Sequence, residues 1–228
     1  MLELLIFDFD GTILDTETPE YQAWSVVFKK YDSHLPLSVY LNSVGGGDFF
    51  DPIIYLQKQI TKELDYESIK KYYKEIFHDL LLKQSLMPGV LNILKEAKKN
   101  KLKVAIASSS DKIWVTSHIE RLNIAQYFDC IKCSNDVLRI KPYPDLFLSV
   151  INELQVCKKR TIAFEDSQNG INSAVAANLF CIAIPNKLTK NSELKGYARK
   201  IKSLENIALE DLRQLAKSFW IKSNNRNF

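Results

Sequence analysis

The sequence predicts an α/β protein: a parallel-sheet core with an α-helical cap domain inserted after its first strand. Three observations predict it. A short apolar run, Leu4-Leu-Ile-Phe7, leads directly into two aspartates one residue apart, Asp8 and Asp10. From Pro19 to Gln84 the apolar residues recur at the three- and four-residue spacing of helices, and no strand interrupts them. After "LMPGV" (86–90) the pattern changes to strands alternating with helices, as in right-handed β-α-β units.

Taken in order, residues 2–8 read as a short buried strand. Helical periodicity runs through "YQAWSVVFKKY", "FFDPIIYLQKQI" and "DYESIKKYYKEIFHDLLLKQ". Pro36 and the run Gly45-Gly46-Gly47 separate these helices. Next come the helix "VLNILKEAKKN", the strand "KVAIA" (103–107), a helix starting near Asp111 and the short strand "CIKC". The helix "PDLFLSVINEL", the strand "TIAFE" (161–165), a helix over 168–178 and the strand "CIAI" (181–184) follow. Residues 1–16 and 86–228 thus form a Rossmann-like α/β core, and 17–85 an inserted helical cap. The glycines at 45–47 belong to no phosphate-loop signature, since no Gly-Lys-Ser/Thr follows, and read as a cap loop.

The balance of 31 basic and 27 acidic residues is mild, and the basic runs are too short for a nucleic-acid stripe. No apolar run approaches the roughly 20 residues that cross a bilayer. The opening "MLELLIFDFD" has acids where a secretory signal needs a basic start. The expectation is a cytoplasmic monomer with no membrane or nucleic-acid partner. Cys130 and Cys133 form a C-x-x-C, but in a short strand positions three apart face opposite sides, so ordinary reduced thiols are expected. His34, His78 and His118 show no ligand spacing and read as surface or packing residues.

In open α/β sheets ligands bind beyond the carboxyl ends of the strands. Those ends carry Asp8 and Asp10, then Ser108, Ser109 and Ser110, then Glu165 and Asp166, while the turn "RIKPYPD" supplies Lys141. Mg²⁺ takes oxygen ligands and keeps several waters, so Asp8 and Asp166 with help from Glu165 could hold it, and the cation removes the repulsion among the acids. Asp8 at the strand end can attack phosphorus to form an aspartyl-phosphate. Asp10, about 7 Å further along an extended chain and on the same side, can act as general acid and then base. Gly11 permits the turn and Thr12 can fix it. Ser108 and the backbone N–H groups that follow, at Ser109 and beyond, suit a phosphate at a helix N-terminus, and Lys141 offsets charge on the phosphoryl oxygens. Taken singly, each motif could be a strand-end turn or a helix cap; their joint placement at successive strand ends favours catalysis.

The motifs "DFDGT", "ASSS", "KPYPD" and "FEDSQNG" resemble, across essentially the whole chain, those of the haloacid dehalogenase superfamily. The similarity is to its helical-cap branch, the beta-phosphoglucomutase-like proteins and small sugar-phosphate phosphatases. The resemblance implies a Mg²⁺-dependent phosphatase with Asp8 as nucleophile and metal ligand. It makes Asp10 the acid/base, binding the metal through its backbone carbonyl. It assigns Ser108 and Lys141 to the phosphate, Glu165 and Asp166 to the metal, and Asp15 to the cap hinge. The substrate implied is a small phosphorylated metabolite. Asp10 sets the chain apart from the dehalogenases, which lack this acid, and from the ion-pumping ATPases, which carry Thr there. In the mutases an arginine three residues after a cap-loop glycine grips a second phosphate; alignment on Gly45 puts Asp48 there, which favours hydrolysis over mutase chemistry. The phosphomutase alternative stays open. A signalling receiver shares the strand-end aspartate and lysine but has no helical insert after its first strand. A catalytically silent scaffold on the same fold is at odds with the intact acids and Lys141.

Overall fold

The computed structural model describes residues 2–41 and 50–224. Every strand pairing is parallel, and the sheet order is β3-β2-β1-β4-β5-β6. The strands are β1 (Leu4–Phe7), β2 (Lys103–Ala107), β3 (Cys130–Lys132), β4 (Thr161–Glu165), β5 (Phe180–Ala183) and β6 (Arg199–Lys200). The helices between β1 and β2 are α1 (Glu17–Lys30), α2 (Leu37–Tyr40), α3 (Pro52–Gln57), α4 (Tyr66–Leu82) and α5 (Val90–Lys99). Then α6 (Lys112–Arg121), α7 (Asp145–Leu154) and α8 (Gln168–Ala176) link successive strands, and α9 (Leu209–Asn224) closes the described chain.

Side chains alternate across the sheet as a doubly covered parallel sheet requires. Leu5, Phe7, Val104, Ile106, Ile162, Phe164, Phe180 and Ile182 bury one face under α5, α6 and α9. Leu4, Ile6 and the smaller Ala105, Ala107, Ala163, Cys181 and Ala183 bury the other under α7 and α8. Cys133 belongs to the first of these clusters and Cys130 to the second, so the C-x-x-C pair is split by the sheet and both thiols are free. Burial pushes their thiols up, to about 12 for Cys130 and about 11 for Cys133, which removes them from nucleophilic chemistry. His118 is a packing residue, with Trp114 edge-on at 4.5 Å and Phe9 stacked at 6.2 Å, while His34 and His78 are exposed.

The helices inserted after β1 bury an apolar cluster of their own, centred on Trp24, Val27, Phe28, Leu56 and Ile69. Trp24 of α1 stacks on Tyr73 of α4 at 4.1 Å. Helix boundaries differ from the sequence reading by a few residues. Helix α8 ends at Ala176 because Asn178 turns to positive φ, and β5 starts one residue early. The one-turn α2, strand β6 and helix α9 are additions. The glycines at 45–47 and Asp48 lie outside the described residues.

The chain steps outward from β1 to β2 to β3, then returns to the opposite flank of β1 with β4. That reversal, a topological switch point, opens a crevice at the carboxyl ends of β1 and β4. Among the described residues no helix is long and apolar enough to cross a membrane.

Candidate active site

Strands β1 and β4 pair with Phe7 opposite Phe164, and the Asp8 N–H donates to the Phe164 carbonyl at 3.0 Å. The register therefore sets Asp8 beside Glu165 and Asp166. One carboxylate oxygen from each of these three buried residues lies within 4.8 Å of the others. The Lys141 ammonium is buried between them, ion-paired to Asp8 and 2.7 Å from Glu165 Oε1. Besides that ammonium, the Asp166 backbone N–H is directed at the Glu165 carboxyl. Burial pushes the Asp8 carboxyl up against the pull of Lys141. Burial likewise raises Glu165 to about 8, and it raises Asp166, to which Glu17 and Asp8 add repulsion. Burial works to lower the Lys141 ammonium, but Asp8 and Glu165 outweigh it and hold its proton more tightly than usual.

Two glycines make this density of acids possible. A Cβ on Gly170, in the first turn of α8, would stand 1.7 Å from Glu165 Oε2. A Cβ on Gly11 would stand 2.2 Å from Asp166 Oδ2, and Gly11 also has φ of +79°, a conformation open chiefly to glycine. Thr12 sits over Asp166 at 3.5 Å, and Asn186, from the loop after β5, donates to Asp166 Oδ2 at 2.7 Å.

The Asp10 carboxylate is not part of the three-acid group. It is half-buried and accepts from Thr16 at 2.9 Å, Trp114 Nε1 at 3.0 Å and Ser110 at 2.6 Å. Ser108 is wholly buried, 3.4 Å from Asp10, and its hydroxyl oxygen accepts the Ser110 N–H at 3.0 Å. Ser109 lines the cavity beside it. Asp15 is buried and accepts the Thr18 N–H at 3.0 Å, which ties down the first turn of α1.

Apart from Glu165, Asn186, the two glycines and the Thr12–Asp15 loop, these side chains line a cavity of about 470 Å³ between the strand ends and the inserted helices. The sequence-predicted residues Asp8, Asp10, Ser108, Ser109, Lys141, Glu165 and Asp166 are thus brought to one place. Sequence reasoning missed four others. Glu17 and Glu20 come from α1, Trp114 from α6 and Asn186 from the loop after β5. Asn186 alone had a usable signal, as it follows the last strand of the alternating series. Trp114 and the two glutamates sit on helix faces whose approach depends on packing.

Acids gathered at the switch point of a doubly wound sheet, under helices inserted after the first strand, define an α/β hydrolytic enzyme. The chain belongs to the haloacid dehalogenase-like hydrolases, whose family model matches residues 5–184. It is 38% identical over 209 residues to YhcW of Bacillus subtilis (strain 168), which bears a provisional name as a phosphatase. That match covers 92% of this chain and 95% of the relative. It is 29% identical to a phosphorylated carbohydrates phosphatase of Thermotoga maritima, over 78% of this chain and 82% of that protein. Among solved structures, a Thermotoga maritima protein provisionally named a beta-phosphoglucomutase superposes with a TM-score of 0.78 at 25% identity. That superposition covers 93% of this chain and 99% of the other.

Proposed function

We propose that the protein is a Mg²⁺-dependent phosphatase that hydrolyses a small phosphomonoester, a sugar phosphate or similar metabolite, through an aspartyl-phosphate. The observation that carries this reading is the buried group Asp8, Glu165 and Asp166 with Lys141 between them. Three carboxyls whose charge is disfavoured by burial and mutual repulsion fit a hard divalent cation. Asp8, Glu165 and Asp166 would hold Mg²⁺, together with the Asp10 backbone carbonyl that the family resemblance adds. Bound there, the ion supplies charge to the phosphoryl oxygens and offsets repulsion among the acids.

The rest of the chemistry falls to the chain. The Asp8 carboxylate attacks phosphorus, and the ester oxygen leaves with a proton from Asp10. Water then attacks the phosphoryl group; Asp10 takes the proton of that water, and inorganic phosphate and the Asp8 carboxylate are released. Thr16, Ser110 and Trp114 fix the Asp10 carboxylate for both transfers. Ser108, Ser109 and Lys141 hold the phosphate. The inserted helices act as the cap, and the protein works as a cytoplasmic monomer, a setting its free cysteines suit.

The likeness to a provisionally named beta-phosphoglucomutase supports a second reading, a phosphomutase. Release of phosphate from a panel of phosphorylated metabolites, with and without Mg²⁺, separates the two. Hydrolysis that requires Mg²⁺ and falls by about a thousandfold or more in Asp8→Asn is expected. Mg²⁺-independent release would overturn the proposal, and an isomeric product formed without phosphate release, in a reaction needing a bisphosphate, would establish the mutase.

A further inference from the structure

Beyond the acids at the strand ends, the cavity holds a second pair. Lys141 is the one cation among its described lining residues, and it is held between Asp8 and Glu165. Glu17 and Glu20 of α1 line the same space, walled by Trp24, Tyr73, Phe77 and Trp114. Hydrogen bonding at Glu20 is already supplied: the Tyr40 hydroxyl donates to Oε2 at 3.0 Å, and the Tyr73 hydroxyl bonds to it as well. Glu17 takes the Asn186 amide at 2.5 Å. Among the described residues neither carboxylate has a lysine or arginine beside it.

Burying an ionised carboxylate without a cation is costly, and aromatic faces add attraction for an ammonium group. A second phosphate or a carboxylate beside this pair would be repelled. A hydroxyl would bring only hydrogen bonds of the kind that Tyr40 and Tyr73 already give.

We infer that the organic part of the substrate carries an ammonium group. The protein then acts on an aminated phosphomonoester, its phosphate toward Asp8 and Lys141 and its amine toward Glu20 and Glu17. The inference rests on the phosphatase reading and narrows its substrate class.

The test uses pairs of phosphomonoesters that differ only in an amine for a hydroxyl: 2-aminoethyl against 2-hydroxyethyl phosphate, and glucosamine 6-phosphate against glucose 6-phosphate. p-Nitrophenyl phosphate serves as a generic substrate. In at least one pair kcat/KM is expected to be about tenfold or more higher for the amine, a difference of about 1.4 kcal/mol. Glu20→Gln is expected to bring that ratio to about two or less. Equal or faster hydrolysis of every hydroxyl partner by the wild type overturns the inference, and so does a preference that survives Glu20→Gln. Should that variant not fold, inhibition of wild-type p-nitrophenyl phosphate hydrolysis decides: glucosamine must inhibit more strongly than glucose. Turnover of p-nitrophenyl phosphate without amine preference sinks only this inference, whereas no turnover of any ester sinks the phosphatase reading with it.

Discussion

Gly170→Ala sets two physical effects against each other. Gly170 lies in α8, where alanine is favoured over glycine by about 1 kcal/mol, so helix propensity alone predicts a more stable protein. The new methyl, however, would stand 1.7 Å from Glu165 Oε2 and 2.1 Å from its carboxyl carbon, where ordinary contact begins at 3.4 Å. The carboxylate must therefore retreat by about 1.7 Å, half the contact distance. Glu165 is wholly buried at the end of β4, and its ammonium partner is 2.7 Å away, so a retreat of that size strains the ion pair. Overpacking costs about 1–3 kcal/mol, and breaking a buried ion pair about 3–5 kcal/mol. Set against the propensity gain, and with partial relaxation, a net loss of about 2–4 kcal/mol follows. For a chain of this size that lowers Tm by roughly 4–16 °C. The assay is thermal unfolding with and without Mg²⁺, alongside p-nitrophenyl phosphate turnover. The Mg²⁺-induced rise in Tm is expected to shrink together with kcat/KM. A variant that melts a few degrees higher than wild type and turns over normally would refute the reasoning, because propensity would then have prevailed over the clash.

Two further outcomes test the acid cluster and the Asp10 scaffold. Glu165 binds its proton more tightly folded than unfolded, with a shift from 4.5 to about 8. Its contribution to stability is therefore present below pH 4.5 and lost as the pH rises through about 8, while metal binding needs the deprotonated form. The Mg²⁺-induced gain in Tm should then be larger at pH 8 than at pH 6, and an equal gain at both would count against the cluster as the metal site. Trp114→Phe keeps an aromatic ring against Phe77 but removes the 3.0 Å N–H donor to Asp10. A hydrogen bond to a charged acceptor contributes about 1.5–3 kcal/mol, so kcat/KM is expected to fall roughly tenfold or more with little change in Tm; wild-type kinetics would show that this donor does not position Asp10.

How much could be read from the sequence depended on where each residue's partners lie along the chain. Strands β2 and β4 are legible to the residue because their apolar runs sit between charged or turn residues, and a buried parallel strand needs little else. Asp8, Ser108, Glu165 and Asp166 follow from the rule that such strands present their carboxyl ends to ligands. Strand β6 carries no such signature: it is two exposed charged residues, Arg199 and Lys200, recruited only because β5 offers them an edge. Glu20 and Trp114 were hidden for a related reason. Each lies on a helix whose periodicity announces a buried face, yet which outer residues meet the cavity is decided by packing between α1, α4 and α6. Gly170 was quoted as part of a motif, but its need to be glycine appears only when Glu165 is found pressed against it.

The aromatic series from α1 to the sheet has a practical side. Trp24 stacks on Tyr73 at 4.1 Å, Tyr73 on Phe77 at 5.6 Å and Phe77 on Trp114 at 6.0 Å. Of the three tryptophans in the chain, two therefore border the cavity, while Trp220, on α9, is not among its lining residues. The molecule carries its own optical reporter. A ligand that displaces water from both cavity indoles changes their emission, against the constant background of Trp220, and occupancy can be titrated by light without label or turnover.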